Sequence, residues 1–172
     1  MYDHYRTDRL QLCLVRPADA PFIRALLNTP GWLKYIGDRE VHTDDDARRY
    51  IEERMMPQAR RLGFGNYVVR NEQGVALGTC GIFVREGLDV ADLGFAFLPQ
   101  FVGRGYATEA ARCMVRAARH DFEMEKLGAI TLPSNQPSRN LLRRVGMRFV
   151  KMVCLPDDPE ELEYYEMELT GA

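Results

Sequence analysis

The residues best suited to chemistry sit in one run, Asp92-Leu-Gly-Phe-Ala-Phe-Leu-Pro-Gln-Phe-Val-Gly-Arg-Gly-Tyr-Ala-Thr-Glu-Ala110, which reads as a strand, a glycine turn and the start of a helix. Gly103 and Gly105 let the backbone curl so that successive amide N–H groups point into one space, where the helix N-terminus adds partial positive charge. Such a turn binds phosphate. It is not a dinucleotide fingerprint, since the third glycine is missing, nor a Walker A loop, since no Gly-Lys-Ser/Thr follows. Farther on, Asn135-x-x-Ser138 pairs a residue able to cap a helix with a hydroxyl one turn later.

Metal and disulfide chemistry find no comparable grouping. Cys13, Cys80, Cys113 and Cys154 are widely separated in apolar segments, as expected of reduced core thiols, and His4, His42 and His120 are scattered, so no metal is expected.

Alternation over 10–15 predicts a first strand, and Asp19 with Pro21 starts a helix reaching about Asn28. An irregular stretch covers 29–42. Thr43-Asp-Asp-Asp46 resembles a capping box opening a helix through Arg61, kinked or divided at Pro57. A hairpin follows at 66–70 and 75–84, then a strand at 90–98, a helix at 105–122 and a short strand at 129–132. A helix from Asn135 to Val145 and strands at 149–155 and 163–169 complete the pattern. The strand-helix-strand unit at 90–132 requires near-parallel alignment of its two strands. With neither linker nor repeat, the expectation is one domain over 1–172.

The 172 residues carry 23 Lys plus Arg against 25 Asp plus Glu, for a net charge of -2. That argues against nucleic acid as partner, because phosphate neutralisation needs a basic excess. No apolar run approaches the roughly 18 residues of a membrane span, and the chain is read as cytoplasmic. The balance conceals an asymmetry: 101–151 holds 10 basic and 4 acidic residues, whereas 152–172 holds 7 acidic and none basic. A polyanion beside the first block and a cation beside the second would suit that division.

Gln100-x-x-Gly103-x-Gly105 resembles the Gln/Arg-x-x-Gly-x-Gly/Ala signature of the GNAT acetyltransferases. The run Gly103-Arg-Gly-Tyr-Ala-Thr-Glu-Ala110 is similar to the RimJ/RimL-type ribosomal-protein N-terminal acetyltransferase branch. Thr7-Asp-Arg-Leu-x-Leu12, Arg16-Pro17, Asn135-x-x-Ser138 and Gly146-Met-Arg-Phe149 resemble that branch in order and spacing. The resemblance implies an α/β (α+β) GNAT fold: a mixed, mostly antiparallel sheet of six to seven strands with splayed central parallel strands and about four helices. Acetyl-CoA would lie in the splay. Its pantetheine would pair with the backbone of Phe95, Ala96 and Phe97, and its diphosphate would rest on the amides of Phe101, Val102, Gly103, Arg104, Gly105 and Tyr106, beside Gln100. Asn135 would touch the pantetheine or thioester end, and Arg104, Arg139 and Arg143 are candidates for the 3′-phosphate.

Acetyl transfer requires a neutral amine, oxyanion donors and a proton for the departing thiolate. The natural oxyanion donor is a strand N–H near Phe97 or Leu98. Where the family often has a tyrosine acid this chain has Leu142, and where some members have a glutamate it has Ile130. Ser138 stands as the alternative partner of the sulfur, or as a helix-capping residue only. No base declares itself, which favours an α-amine over a lysine. The acceptor mouth is expected from Trp32, Tyr35, Ile36 and His42 on one side and Tyr164 and Tyr165, over the acidic tail, on the other; Trp32 and at least one tyrosine fit a core role equally well. The implied activity is an N-acetyltransferase acting on an amine, a peptide or protein N-terminus foremost. A small-molecule amine (polyamine or aminoglycoside) as acceptor, a non-catalytic acyl-CoA binder and a nucleotide binder are the competing readings. Monomer and homodimer are both compatible with the sequence.

Overall fold

Eight strands make one sheet in the order β1-β2-β3-β4-β5-β6-β8-β7 in the computed structural model, which describes residues 2–170. The strands are β1 (His4–Arg6), β2 (Leu10–Leu14), β3 (Asn66–Asn71), β4 (Ala76–Phe83), β5 (Asp92–Phe97), β6 (Lys126–Thr131), β7 (Arg148–Val153) and β8 (Leu162–Glu168). Strands β1 to β5 pair antiparallel in sequence order, and β6, β8 and β7 form a second antiparallel group. The two groups meet at β5 and β6, the parallel pair, through a single matched position, Asp92 opposite Gly128, where the Gly128 N–H donates to the Ala91 carbonyl at 2.8 Å. Beyond that rung the strands diverge. Asp92 is 1% exposed, and Arg85 Nε donates to both its carboxylate oxygens at 2.8 and 3.0 Å. Burial raises the Asp92 pKa against the pull of that guanidinium.

Helix α5 (Tyr106–His120) connects β5 to β6, as the alternation of apolar and basic residues predicts. Its small buried residues Ala110, Ala111, Ala117 and Ala118 let it sit close to the sheet with Cys113 and Met114, while Arg112, Arg116 and Arg119 face solvent. Helices α1 (Ala20–Leu27), α2 (Pro30–Tyr35), α3 (Asp44–Tyr50) and α4 (Met56–Leu62) precede β3, and α6 (Gln136–Arg144) precedes β7. A second apolar cluster joins Ile23, Leu26 and Leu27 of α1 to Ala47 and Ile51.

The expected 43–61 helix begins on its capping box: Thr43 Oγ1 accepts from the Asp46 N–H at 3.0 Å, and Asp46 Oδ2 accepts from the Thr43 N–H at 2.9 Å. Ahead of Pro57 the chain winds into a π-helical turn at Ile51–Met55, which absorbs the hydrogen bond that proline cannot make. Two elements exceed the sequence expectation. The three-residue β1 is too short for periodicity to reveal, and α2 forms inside the stretch read as irregular, capped by Thr29 Oγ1 accepting from Trp32 N–H at 3.3 Å. Of the cysteines, Cys80 and Cys113 are buried as expected, whereas Cys154, beyond the end of β7, is exposed.

Candidate active site

The divergence of β5 from β6 opens a cleft of about 610 Å³. Hydrogen-bond register decides which groups of β5 look into it. Leu98 N–H donates to the Leu77 carbonyl at 2.9 Å, and with Leu98 opposite Leu77 the bonded pairs are every second residue. Ala96 therefore turns its backbone to Thr79 on β4. The backbone groups of Phe95 and Phe97 turn the other way, toward β6, where the splay leaves them without a neighbouring strand. Ala96 lines the cleft but offers it no backbone edge, and Leu98, engaged with Leu77, is excluded as an oxyanion donor. Phe97 N–H remains.

At one end of the cleft lies the glycine turn. Phe101 and Val102, expected to present amides, instead donate them to the carbonyls of Leu98 (3.0 Å) and Pro99 (3.3 Å), closing the 3₁₀ turn at Pro99–Phe101. From Gly103 to Thr108, six successive N–H groups have no protein acceptor among the described residues. Three belong to the first turn of α5, where such orphans are inherent, and three to the turn itself. Gly103 and Gly105 adopt φ of 81° and 80°, values that only glycine adopts without strain. A Cβ on Gly103 would meet no protein atom within 4 Å. This row of donors at a helix N-terminus is a cradle for a diphosphate-sized anion.

Phe95, Ala96, Phe97, Phe101, Val102, Gly103, Gly105, Tyr106, Asn135 and Ser138 all line the cleft; Gln100 and Arg104 are exposed and do not. Asn135 is the cap of α6, its Oδ1 accepting the Ser138 N–H at 3.2 Å. The Ser138 hydroxyl makes no hydrogen bond among the described residues, so it is not spent on capping. Trp32, Tyr35 and Ile36 also line the cleft, and His42 lies outside the lining. Among the described residues, no Asp, Glu or His lines this cleft. Arg144, absent from the sequence expectation, does: its Nη1 donates to Thr108 Oγ1 at 3.2 Å.

The late rim is corrected. Tyr164 and Tyr165 are 6% and 0% exposed and belong to the interior rather than the cleft. Three of the seven tail carboxylates are paired: Glu163 Oε2 accepts from Tyr165 Oη (2.8 Å) and Arg139 Nε (2.9 Å), and Lys126 bridges Glu166 and Glu168 at 3.2 and 3.0 Å. Arg139 is thereby withdrawn from the set of phosphate candidates. In its place a second cleft, of about 540 Å³, adjoins the first through Gly105, Thr108 and Arg144 and is lined by Arg9, Arg112, Arg116 and Arg144 against Asp8 and Glu109.

Residues 9–148 match the family described as acetyltransferase (GNAT) domain. The chain belongs to the GNAT acetyltransferases. It is an acyl-CoA-dependent N-acetyltransferase by that membership. The chain is 24% identical over 165 residues to the uncharacterized N-acetyltransferase YnaD of Bacillus subtilis, covering 94% of each chain. Among solved structures, an acetyltransferase of Agrobacterium tumefaciens superposes with a TM-score of 0.80 at 25% identity, over 96% of this chain and 94% of that one. RimJ of Mycobacterium smegmatis, in complex with CoA-disulfide, superposes with a TM-score of 0.78 at 19% identity, over 92% and 81%. The splayed sheet is thus the GNAT fold, with one strand more than the upper expected number.

Proposed function

We propose that this acetyltransferase transfers an acetyl group from acetyl-CoA to the α-amine of a peptide or protein N-terminus. The residues fit the donor along its length. Phe95 and Phe97 offer a strand edge to the pantetheine amides, and Gly103 to Thr108 offer donors to the diphosphate, as the name of the RimJ complex with CoA-disulfide would lead one to expect of a shared fold. The 3′-phosphate belongs, on charge, in the adjoining arginine cleft with Arg112, Arg116 and Arg144, which form no salt bridge among the described residues. Acetyl-CoA supplies an activated thioester. The chain's own part is to hold it extended, present Phe97 N–H near the carbonyl, and turn the Ser138 hydroxyl and Asn135 side chain toward the thioester end.

The observation that carries the choice of acceptor is a lining without Asp, Glu or His. A site with no base of its own needs an amine that is neutral in appreciable fraction. An α-amine with a pKa of about 7.7–8.0 provides that near pH 7.5, whereas a lysine near 10.4 is neutral in only roughly one molecule per thousand. The same lining holds no carboxylate to attract a polycation, which disfavours polyamines and aminoglycosides. The test follows thiol release from acetyl-CoA across peptides with free N-termini, the same peptides blocked at the N-terminus but bearing lysine, and polyamines. Faster turnover of the blocked lysine peptides or of polyamines would overturn the assignment.

A further inference from the structure

Two motifs of the resemblance that lie far apart in the sequence, Thr7-x-Arg9 and the one containing Glu109, meet in space. Glu109 Oε1 accepts from Thr7 Oγ1 (2.6 Å) and from the Arg9 N–H (2.9 Å), and Oε2 accepts from Arg9 Nε (2.7 Å). The Arg9 guanidinium lies 4.6 Å from the centroid of the Tyr106 ring, and its Nη1 donates to the Arg104 carbonyl at 3.0 Å. That last bond acts on the anion cradle itself. In a trans peptide the C=O and N–H point in opposite directions, and no peptide among the described residues is cis. With the Arg104 carbonyl drawn to Arg9, the N–H of Gly105 is turned away from it. Arg9 lines the second cleft and not the first, whereas Gly105 lines both, so an N–H turned away from Arg9 is available to the donor cleft.

We infer that Arg9, anchored by Glu109 and Thr7, is a positioning residue that fixes the Arg104–Gly105 peptide so that Gly105 donates to the diphosphate. The inference rests on the reading of the cleft as a CoA site. A glycine with φ of 80° can rotate this peptide readily, and among the described residues its Arg104 carbonyl and Gly105 N–H have no protein partner other than Arg9. The clamp removes that freedom before the ligand arrives, which is the usual gain of preorganisation. Burial raises the Glu109 pKa, but the hydrogen bonds from Thr7 and Arg9 outweigh it and hold the carboxyl below the ordinary range. The anchor is therefore ionised throughout the physiological range.

An exposed Arg–Glu pair contributes little to global stability, and this separates a positioning role from a merely structural one. The variant is Arg9→Met, which keeps an unbranched apolar side chain at this position and removes the guanidinium with both of its polar contacts. CoA and 3′-dephospho-CoA are titrated by calorimetry, and kcat/KM is measured with S-acetylpantetheine, which lacks the diphosphate. The expected result is a loss of about tenfold in affinity for CoA and 3′-dephospho-CoA alike, from one misdirected charge-assisted donor. The kcat/KM with S-acetylpantetheine is expected to be unchanged. Equal loss on S-acetylpantetheine would reduce Arg9 to a structural tie. Loss confined to CoA would make it a direct 3′-phosphate ligand, and unchanged affinity would remove its role altogether. Failure of the unmodified protein to bind CoA would instead overturn the reading of the cleft.

Discussion

Replacing Gly103 by valine tests the anion cradle most directly, because the structure separates its effect on folding from its effect on binding. At φ of 81° a residue with a Cβ suffers strain of about 1–2 kcal/mol. No protein atom lies within 4 Å of the Cβ position, so a clash adds nothing further at that atom. For a domain of this size that strain lowers Tm by roughly 2–8 °C, leaving a folded protein at 25 °C. Binding should suffer far more. Movement of the turn to relieve φ misdirects the N–H groups that begin at Gly103, and two such bonds to a charged diphosphate are together worth about 3–6 kcal/mol. The affinity for CoA should accordingly fall at least a hundredfold. Calorimetric titration with CoA, alongside thermal unfolding, gives both numbers on one sample. A folded Gly103→Val protein that binds CoA within tenfold of the parent refutes the cradle.

Other expectations follow from the same geometry. Ser138→Ala should leave CoA affinity intact and lower kcat about tenfold through loss of a hydroxyl near the sulfur; unchanged kcat would leave Ser138 as cleft lining only. Because the lining contains no Asp, Glu or His, kcat/KM for an N-terminal peptide should rise with pH through an apparent pKa set by the peptide itself, about 7.7–8.0. An inflection that stays fixed when the peptide's pKa is changed would reveal a base elsewhere. Arg85→Met should cost about 2 kcal/mol at pH 7, low for a buried pair because the Arg85 side chain is 39% exposed. The raised pKa of Asp92 means that its ionisation erodes stability as pH rises through the folded value, so the deficit of Arg85→Met should shrink toward pH 4 in denaturant titrations.

The sequence reveals most where local rules suffice. Gly103 and Gly105 mark a turn because only glycine adopts that backbone cheaply, and Thr43 with Asp46 mark a helix start because both partners lie within one turn. The misreadings are tertiary. Phe101 and Val102 look like part of an amide row until Pro99 tightens the chain into a 3₁₀ turn that consumes their N–H groups. Tyr164 and Tyr165 are indistinguishable from rim tyrosines in the sequence, since only pairing with β6 and β7 decides that both are buried, on opposite faces of the sheet. The Arg9–Glu109 anchor spans 100 residues; its halves were visible in separate motifs, but nothing local joins them. Arg144 could have been suspected from the basic end of α6, yet its reach to Thr108 depends on how two helices pack.

The single rung between β5 and β6 has a consequence for how this protein lives between turnovers. An open seam in a sheet exposes unpaired strand edges, which proteins ordinarily cover or blunt. Here the chain carries its seam in its interior, and on the proposed reading of the cleft a small molecule acts as the absent strand, lent at the start of each cycle and withdrawn at the end. Its resistance to unfolding then tracks the supply of that molecule, by about 2.7 kcal/mol when the ligand stands at a hundred times its dissociation constant. Hydrogen exchange at Gly128 and along β6 should slow as CoA is added, and the protein of a starved cell should be the more easily unzipped at this line.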